Sequence, residues 1–578
     1  MNIKYVLSFP NPDTHYLEVE MHLSDVEQAS LNLKMAVWTP GSYLIREFQK
    51  NIDNVVVFYP NNENKRLEKI NKNTWTLDTK QEKELVVKYK IYCFEYSVRT
   101  NLVDDSHALL NGAGTFIYVE GFEKDEIEIN INPFEKWDKI STSLAIKNGN
   151  KWQRIAENLD DLIDSPIEIG NHETYFFEAA NVPHELAIYG TSNCNILKLM
   201  EDLIKIIEVE TAIFGSHPCK NYVFIIHNTD TSYGGLEHKN SSVNHIPRWS
   251  YDDTNYQRAI SLLAHEYFHL WNVKRIKPAS LIPYNYEKEN YTDLLWFFEG
   301  VTSFYDDYVC YKAGVTSKEK YIEIVENNLN EVLNTAGKDT QTLAEASYDT
   351  WLKYYRKNEN SSNAQINYYT HGAVVTMLFN FYIIYDSNGE KKFEDVLKKM
   401  YDAYLSNPNK GITKEDIIQI ITSFTNSNFD EFYTLFIESI TSFKGIDPFF
   451  KMVGIELTNQ LISGGKYLGI TTKLENGRLL ITQLDKNYGA YKDGLNVHDE
   501  IIAIDGFRVQ NDFNKLFAHK KINDTIIVTI SRNGILQNKS IVLTEDKRYK
   551  IKFQWLHSLS EQQQNAQIAW LGKHTTIV

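Results

Sequence analysis

The sequence predicts a multi-domain α+β protein, because its pattern of apolar residues changes along its 578 residues. Short β-rich runs alternate with turns up to about residue 190, helix-spaced apolar residues dominate from Thr254 onward, and short strands return near residue 457. We therefore expect an N-terminal β-sandwich-like domain (1–190), a mostly helical domain (191–455), a small strand-rich domain (456–546) and a C-terminal extension (547–578).

Two runs in the N-terminal part alternate apolar and polar residues, as half-buried strands do: 16–21 (YLEVEM) and 84–91 (ELVVKYKI). The segment 38–43 (WTPGSY) between them has Pro followed by Gly, and it therefore predicts a turn. Strands joined by turns in this way are typical of a layered β domain.

His265, Glu266 and His269 lie in the sequence LAHEYFHLW, which has the HExxH spacing. Residues four apart share one face of an α-helix, so both imidazoles can reach one metal ion, and Glu266 can act on a water beside it. No Gly or Pro interrupts residues 254–271, so we expect a helix here.

A tetrahedral zinc ion that keeps one water needs a third protein ligand besides the two histidines, and Glu299 is the best candidate. In the apolar run 294–307 (LLWFFEGVTSFYDD) it is the only acid or base before Asp306, and an unpaired carboxylate would be costly there. The alternative is a solvated acid on a helix face. Asp306 or Asp307 is expected to accept a hydrogen bond from a ligating histidine, unless both are surface acids.

Composition narrows the class of protein. The formal net charge of −16 argues against a nucleic-acid or anionic-membrane partner. Four scattered cysteines without CxxC spacing imply neither a disulfide framework nor a thiolate metal site. No signal-peptide pattern is evident, and the longest apolar stretch, 373–385, is too short to cross a bilayer. We expect a cytoplasmic enzyme, and the oligomeric state stays open.

Three segments resemble the glycyl aminopeptidase family of zinc metallopeptidases: 38–48 (WTPGSYLIREF), 265–278 (HEYFHLWNVKRIKP) and 299–307 (EGVTSFYDD). In that family an N-terminal β domain and a thermolysin-like (gluzincin) catalytic domain precede a PDZ domain. The resemblance implies one Zn²⁺ ion, an aminopeptidase reaction on peptides with a free N-terminus, and a preference for N-terminal Gly or Ala.

The segment SYGGLEHKN is similar to the substrate element of zinc aminopeptidases. The resemblance assigns the substrate amine to Glu237, and Gly234 and Gly235 permit a close backbone approach. Taken alone, the segment would be an ordinary hairpin turn with an exposed acid.

The segment 366–377 (INYYTHGAVVTM) resembles a helix-opening element whose tyrosine stabilises the developing oxyanion. Alignment on Gly372 assigns this role to Tyr369, with Tyr368 as the rival. His371 stands where the family pattern commonly has lysine.

Residues 467–470 (YLGI) and 490–506 (AYKDGLNVHDEIIAIDG) look like a PDZ domain, with His498 in place of the usual glycine and a helix-like stretch at 512–519. Such domains bind a peptide C-terminus by adding it as a β-strand. The domain either binds a peptide in this way or packs against the catalytic domain.

The leading interpretation is a zinc aminopeptidase in which Glu266 is the general base. One alternative is a thermolysin-like endopeptidase, which would not need Glu237. Another is a non-catalytic PDZ-bearing adaptor with a degenerate peptidase fold. The basic run that follows the zinc helix, Lys274, Arg275 and Lys277, is expected to be a salt-bridged and solvated surface.

Overall fold

The computed structural model describes residues 1–426, 428–441, 443, 445–460, 465–510 and 513–572. Residues 573–578 of the predicted extension and Asp512 of the predicted helix-like stretch lie outside the described residues. The chain forms two compact units. The first consists of Met1–Tyr291, Tyr305–Ser317 and Leu397–Thr413, and the second of Thr292–Phe304, Lys318–Val396 and Lys414–Val578.

The first unit begins with a β domain. Its strands are β1 (Asn2–Ser8), β2 (Tyr16–Ser24), β3 (Ser30–Met35), β4 (Ile52–Phe58), β5 (Asn64–Arg66), β6 (Glu68–Asn71), β7 (Thr74–Asp78), β8 (Glu84–Tyr92), β9 (Leu102–Val103), β10 (His107–Leu110), β11 (Ile117–Val119), β12 (Ile127–Asn132), β13 (Lys139–Ser141), β14 (Ala145–Lys147), β15 (Asn150–Ala156) and β16 (Ile167–Gly170). Two short helices, α1 (Gly112–Thr115) and α2 (Leu159–Ile163), interrupt them.

These strands form one eight-stranded sheet, β14-β15-β12-β1-β2-β8-β4-β5, and two four-stranded sheets, β13-β16-β10-β9 and β11-β3-β7-β6. Burial alternates along β2 and β8, so one face of the large sheet contributes to the core. All three sheets supply core residues, such as Tyr5, Leu33 and Leu110. The β-sandwich-like prediction is confirmed.

A fourth sheet in the first unit carries the predicted metal helix. Its strands are β17 (Glu173–Ala179), β18 (Val182–Tyr189), β19 (Tyr222–Thr229), β20 (Gly234–Glu237) and β21 (Ser241–Pro247), in the order β17-β18-β19-β21-β20. Two helices, α3 (Ile196–Phe214) and α4 (Tyr256–Phe268), pack against this sheet, and α4 lies on β20 and β21. Every residue of β19 is buried, as expected of a central strand between two parallel neighbours.

The remaining helices are α5 (Leu295–Phe298), α6 (Gly300–Lys312), α7 (Lys318–Asn334), α8 (Leu343–Tyr348), α9 (Ser361–Ala364), α10 (Tyr368–Asp386), α11 (Phe393–Ser406), α12 (Lys414–Thr422), α13 (Asp430–Tyr433), α14 (Asp447–Met452), α15 (Gly489–Lys492) and α16 (Glu561–Leu571). The centre of the second unit is α10, which is buried along most of its length and packs against α5, α7, α14 and α16. Across the described ranges, no helix is both long and apolar enough to cross a membrane.

The last strands are β22 (Ile455–Asn459), β23 (Lys466–Tyr467), β24 (Ile470–Glu475), β25 (Arg478–Leu484), β26 (Glu500–Ile504), β27 (Phe507–Arg508), β28 (Thr525–Arg532), β29 (Ile535–Val542), β30 (Thr544–Glu545) and β31 (Ile551–Trp555). The sheet β24-β25-β26-β28-β29 has its own apolar core, which includes Leu468, Ile501 and Phe517. This is the strand-rich domain that the sequence predicts.

Asn363 on α9 connects this small domain to the helices of the same unit. Its side chain donates to the carbonyl of Leu484 at 2.7 Å and accepts from the backbone N–H of Lys486 at 2.9 Å. The ammonium of Lys486 donates to Thr340 Oγ1 at 2.8 Å. Asn363 is buried, and these contacts therefore favour the packing alternative.

The prediction of a solvated basic run is wrong. Lys274 and Arg275 are each only 4% exposed. The Lys274 ammonium forms an ion pair with Asp164 at 2.9 Å, and the Arg275 guanidinium donates to backbone carbonyls, among them that of Leu270 at 2.9 Å. Burial lowers the pKa of Lys277 to about 8. Lys274 and Arg275 are buried because their donors find these partners inside the fold.

Candidate active site

Helix α4 places both histidines of the HExxH motif on one face. Asp252 Oδ1 accepts from the backbone N–H groups of Thr254 and Asn255 at 3.0 and 2.9 Å, which fixes the turn before the helix. His269 follows the helix with helical backbone angles, and its N–H bonds to the carbonyl of His265. The two side chains are therefore one turn apart.

The Nε2 atoms of His265 and His269 lie 3.0 Å apart. A carbonyl can only accept, so Nδ1 of His269 donates to the carbonyl of Asn272 at 2.8 Å. In a neutral ring, the Nε2 atom that faces His265 then carries a lone pair. Two ring nitrogens this close have either a hydrogen-bonding proton or a metal ion between them. A metal ion fits, since nitrogens about 2.0–2.1 Å from a tetrahedral zinc lie roughly 3.3 Å from each other.

Asp306 and Asp307 have different partners. Oδ2 of Asp306 lies 3.0 Å from Nδ1 of His265, whereas Asp307 accepts from the Ser261 hydroxyl at 2.6 Å. Burial raises the pKa of Asp306 although the bond to His265 opposes it, and burial with the charge of Asp306 raises the pKa of Asp307 to about 7. Of the two acids, Asp306 therefore orients the histidine.

Glu299 is 2% exposed, which excludes the solvated-acid alternative. It connects α5 to α6 without a break: its N–H bonds to the carbonyl of Leu295 at 2.7 Å, and its carbonyl accepts from Ser303 at 2.8 Å. His265, His269 and Glu299 each offer one possible ligand atom to a metal ion. A buried carboxylate and two imidazoles form a donor set that suits zinc.

Close packing of two glycines sets the position of Glu299 relative to α10. A Cβ atom on Gly372 would lie 2.6 Å from the carbonyl oxygen of Trp296 and 2.8 Å from Cα of Gly300. Only glycines at both positions allow this approach of the two backbones. Burial raises the pKa of the Tyr369 phenol, and the nearby charge of Glu299 raises it further.

The two tyrosines at the start of α10, Tyr368 and Tyr369, have different contacts. The Tyr368 hydroxyl lies inside the protein, 2.9 Å from Thr350 Oγ1. Tyr369 is only half-buried, and its backbone N–H bonds to the side chain of Asn367. His371 is buried, which lowers its pKa to about 3, so it does not supply the charge of the family lysine. The contacts favour Tyr369 as the residue open to a substrate.

The predicted substrate element consists of the edge strand β20 and the turn that joins it to β21, and its acid is buried on the strand instead of exposed in the turn. Gly234 has a φ of +142°, and a Cβ atom on Gly235 would lie 2.5 Å from Cγ of Glu266 and nearer still to its carboxylate. Glu237 is 4% exposed, and its Oε1 has no hydrogen-bond partner among the described residues. The ligand atoms of Glu237, Glu266 and His269 lie within 4.8 Å of one another. Two buried carboxylates so close repel each other unless a proton or a cation lies between them.

A third group of possible metal ligands, His107, Glu168 and His227, lies in the first unit. Both imidazoles face the carboxylate, at 2.7 and 2.9 Å. Burial alone would raise the pKa of Glu168, but the two histidines hold it well below its ordinary value. An ionised carboxylate only accepts, so the nitrogens facing it carry protons and offer no lone pair to a metal.

Sequence reasoning missed one acid beside the histidines. Glu210 on α3 is fully buried, and its carboxyl oxygens have no hydrogen-bond partner in the described part of the chain. Burial and the charge of Asp306 raise its pKa well above the ordinary value. No local signal marks it, because it lies in a regular apolar-polar helix pattern.

Comparison with known proteins supports this description. Residues 4–171 match the Peptidase M61 N-terminal domain, 258–375 match M61 glycyl aminopeptidase, and 466–543 match a PDZ domain. The crystal structure of an aminopeptidase N family protein from Idiomarina loihiensis is similar over 98% of this chain and 100% of that chain, with a TM-score of 0.91 and 26% sequence identity. No curated protein matches the sequence.

A more distant similarity is to the M1 zinc metallopeptidase from Deinococcus radiodurans, over 76% of this chain and 94% of that chain, with 8% identity and a TM-score of 0.49. Fold and family matches define the protein as a metallopeptidase with a PDZ domain. The resemblance to the glycyl aminopeptidase family is confirmed by the matches of residues 4–171 and 258–375 to two M61 domain models.

Proposed function

We propose that the protein is a zinc aminopeptidase that removes N-terminal residues, preferably Gly or Ala, from peptides. The observation that carries this proposal is the buried carboxylate of Glu237, whose ligand atom lies within 4.8 Å of those of Glu266 and His269. An exopeptidase must bind a free ammonium group beside its metal, and a charge-assisted hydrogen bond to Glu237 does so. An endopeptidase has no use for a buried acid at this position.

In this proposal one Zn²⁺ ion is held by His265, His269 and Glu299. When bound, zinc supplies Lewis-acid chemistry: it lowers the pKa of a water toward neutrality and polarises the scissile carbonyl. Imidazole and carboxylate also accept other divalent metals, so the identity of the ion is part of the proposal. Asp306 orients His265, and the carbonyl of Asn272 orients His269.

The protein's own groups then perform the remaining steps. Glu266 accepts the proton of the attacking water and delivers it to the leaving amine. Tyr369 donates a hydrogen bond to the developing oxyanion, an interaction worth roughly 3–4 kcal/mol per donor. Glu237 holds the substrate ammonium, so the first peptide bond lies over the metal site. Gly234 and Gly235 keep the backbone of β20 open to the substrate.

Two other functions would make different demands on this site. A thermolysin-like endopeptidase would share the metal ligands and Glu266 but would accept a blocked N-terminus. A non-catalytic adaptor would not need the full set of ligands and base, and this chain has kept all of them. The four-part domain division, a peptide ligand for the PDZ domain and a reducing cytoplasmic setting, which agrees with four unpaired cysteines, remain predictions.

The deciding experiment assays a panel of amino-acid anilides and their N-acetylated forms, with and without a chelator. We expect hydrolysis of the free Gly and Ala compounds, none of the acetylated ones, and loss of activity on chelation. Glu237→Gln should lower kcat/KM about 10- to 100-fold, because a hydrogen bond to a charged group is worth about 1.5–3 kcal/mol.

Glu173→Gln is the matched control for this variant. It changes an exposed acid on β17, at the opposite edge of the same sheet, and should leave the rate unchanged. Glu266→Gln should abolish turnover with zinc retained, whereas Glu299→Gln should weaken zinc retention. Equal hydrolysis of free and acetylated substrates would overturn the aminopeptidase proposal.

A further inference from the structure

The segment 38–48 resembles the glycyl aminopeptidase family, but the sequence assigns it no function. It contains a tight turn at residues 39–42. The N–H of Ser42 bonds to the carbonyl of Thr39 at 3.1 Å. Pro40 and Gly41 occupy the two central positions, and Gly41 has a φ of +85°, as a turn with glycine at its third position requires. Arg46 holds the turn by donating to the Ser42 hydroxyl at 2.8 Å.

This turn of the N-terminal domain faces Glu237. A Cβ atom on Gly41 would lie 2.5 and 2.6 Å from the two carboxylate oxygens of Glu237 and 2.7 Å from its Cδ. The glycine backbone therefore lies directly against the charged end of the side chain that we assign to the substrate amine. Any side chain at position 41 would have to displace that carboxylate, because the flexible end of Glu237 moves more easily than the turn.

The N-terminal domain holds the same strand at two further points. The Arg99 guanidinium donates to the carbonyl of Gly235 on β20 at 3.1 Å. Asp164 accepts from the ring of His238 at 3.0 Å and from the backbone N–H of Lys239 at 2.9 Å, in the turn that follows β20. The strand is thus fixed along its length by contacts from residues 41, 99 and 164.

We propose that the 39–42 turn forms one wall of the amine subsite and that Gly41 is a positioning residue for the Glu237 carboxylate. The inference rests on the proposed role of Glu237. It makes the N-terminal β domain part of the substrate site, because the metal ligands alone do not determine where the ammonium group binds.

The test compares Gly41→Ala with Gly121→Ala in the full-length zinc enzyme. Both glycines have a positive φ, +85° and +86°, but a Cβ atom on the exposed Gly121 would meet nothing within 4 Å. The two variants therefore carry similar backbone strain, and only Gly41→Ala moves Glu237. We expect Gly41→Ala to lower kcat/KM for glycine anilide about 10- to 100-fold relative to Gly121→Ala, mainly through KM.

Zinc content and the thermal midpoint are measured for both variants. Equal zinc content and similar midpoints support a positioning role. A Gly41→Ala protein that matches Gly121→Ala in KM, or that loses activity only in proportion to lost zinc, overturns it.

A double-mutant cycle with Glu237→Asp gives a second, independent test. The shorter aspartate withdraws the carboxylate from position 41 by one methylene. If Gly41 makes room for Glu237, then Glu237→Asp should cost less activity in the Gly41→Ala background than in the parent. Strictly additive losses, with residues 41 and 237 acting independently, would overturn the inference.

The outcome also separates this inference from the proposed function. If Glu237→Gln leaves the discrimination between free and acetylated substrates intact, the assignment of Glu237 to the amine fails, whatever happens at position 41. If Glu237→Gln impairs that discrimination while Gly41→Ala behaves like Gly121→Ala, only the positioning role of the turn fails.

Discussion

Gly235→Ala tests whether the edge strand determines the position of the general base. Gly235 has an ordinary φ, so alanine adds no backbone strain there. Its Cβ would lie 2.5 Å from Cγ of Glu266, and ordinary van der Waals contact begins near 3.4 Å, so the Cγ must move by about 0.9 Å and the carboxylate further. A misplacement of about 1 Å can cost roughly 100-fold in rate. We therefore expect a loss of about 100-fold in kcat.

The assay is steady-state hydrolysis of glycine anilide together with zinc analysis and thermal unfolding. Because the side chain that yields is flexible, the fold and both histidine ligands should be retained. The loss should fall mainly on kcat and stay smaller than that of Glu266→Gln, which lacks the base altogether. A Gly235→Ala enzyme with the parent kcat would refute the placement of Glu266 against β20.

Three further results are expected. Asp306→Ala should weaken zinc binding about 10- to 100-fold, measured by competition with a chelator, because His265 loses the carboxylate that orients it. Tyr369→Phe should lower kcat, whereas Tyr368→Phe should cost only about 1 kcal/mol of stability, measured by urea unfolding, and leave kcat unchanged. Burial alone would raise the pKa of Asp164, but its lysine and histidine partners hold it well below 3.8. The unfolded chain therefore binds more protons than the folded protein at low pH. This contribution to stability is present above pH 4 and is lost as the pH falls below the pKa of the unfolded chain. Asp164→Asn should therefore flatten the pH dependence of the free energy of unfolding, measured with urea, in that acid range.

Periodicity and motif spacing predicted the main architecture. Alternation along residues 16–21 and 84–91 indicated strands that the structure contains within β2 and β8. The HExxH spacing indicated a helix, and α4 ends only at its last histidine. These features are local: a strand or a helix repeats its burial every two or nearly four residues, so the pattern is visible in the sequence itself.

What the sequence did not predict depends on partners distant along the chain. Lys274 and Arg275 look like a surface run until Asp164 and nearby carbonyls are placed beside them. Glu237 looks like an exposed turn residue until β20 is paired with β21 and its carboxylate is buried. Glu210 gives no signal at all, because burial of a single acid on a helix depends on what packs over it. Tertiary packing overrides local preference at each of these positions.

The pairing of β22 with β31 has a consequence for how the chain can be cut. Asn459 lies opposite Ile551, so the PDZ domain leaves the helical unit and returns to it at adjacent points of one ladder. The chain after it then supplies Trp570, which is fully buried and packs against Tyr321 and Phe381. The PDZ domain is therefore an insertion and not a terminal appendage. A short loop could therefore replace the PDZ domain. A stop codon placed after the PDZ domain would instead expose the apolar surface that α16 covers. The core of the helical unit is therefore complete only after residue 570 has been synthesised.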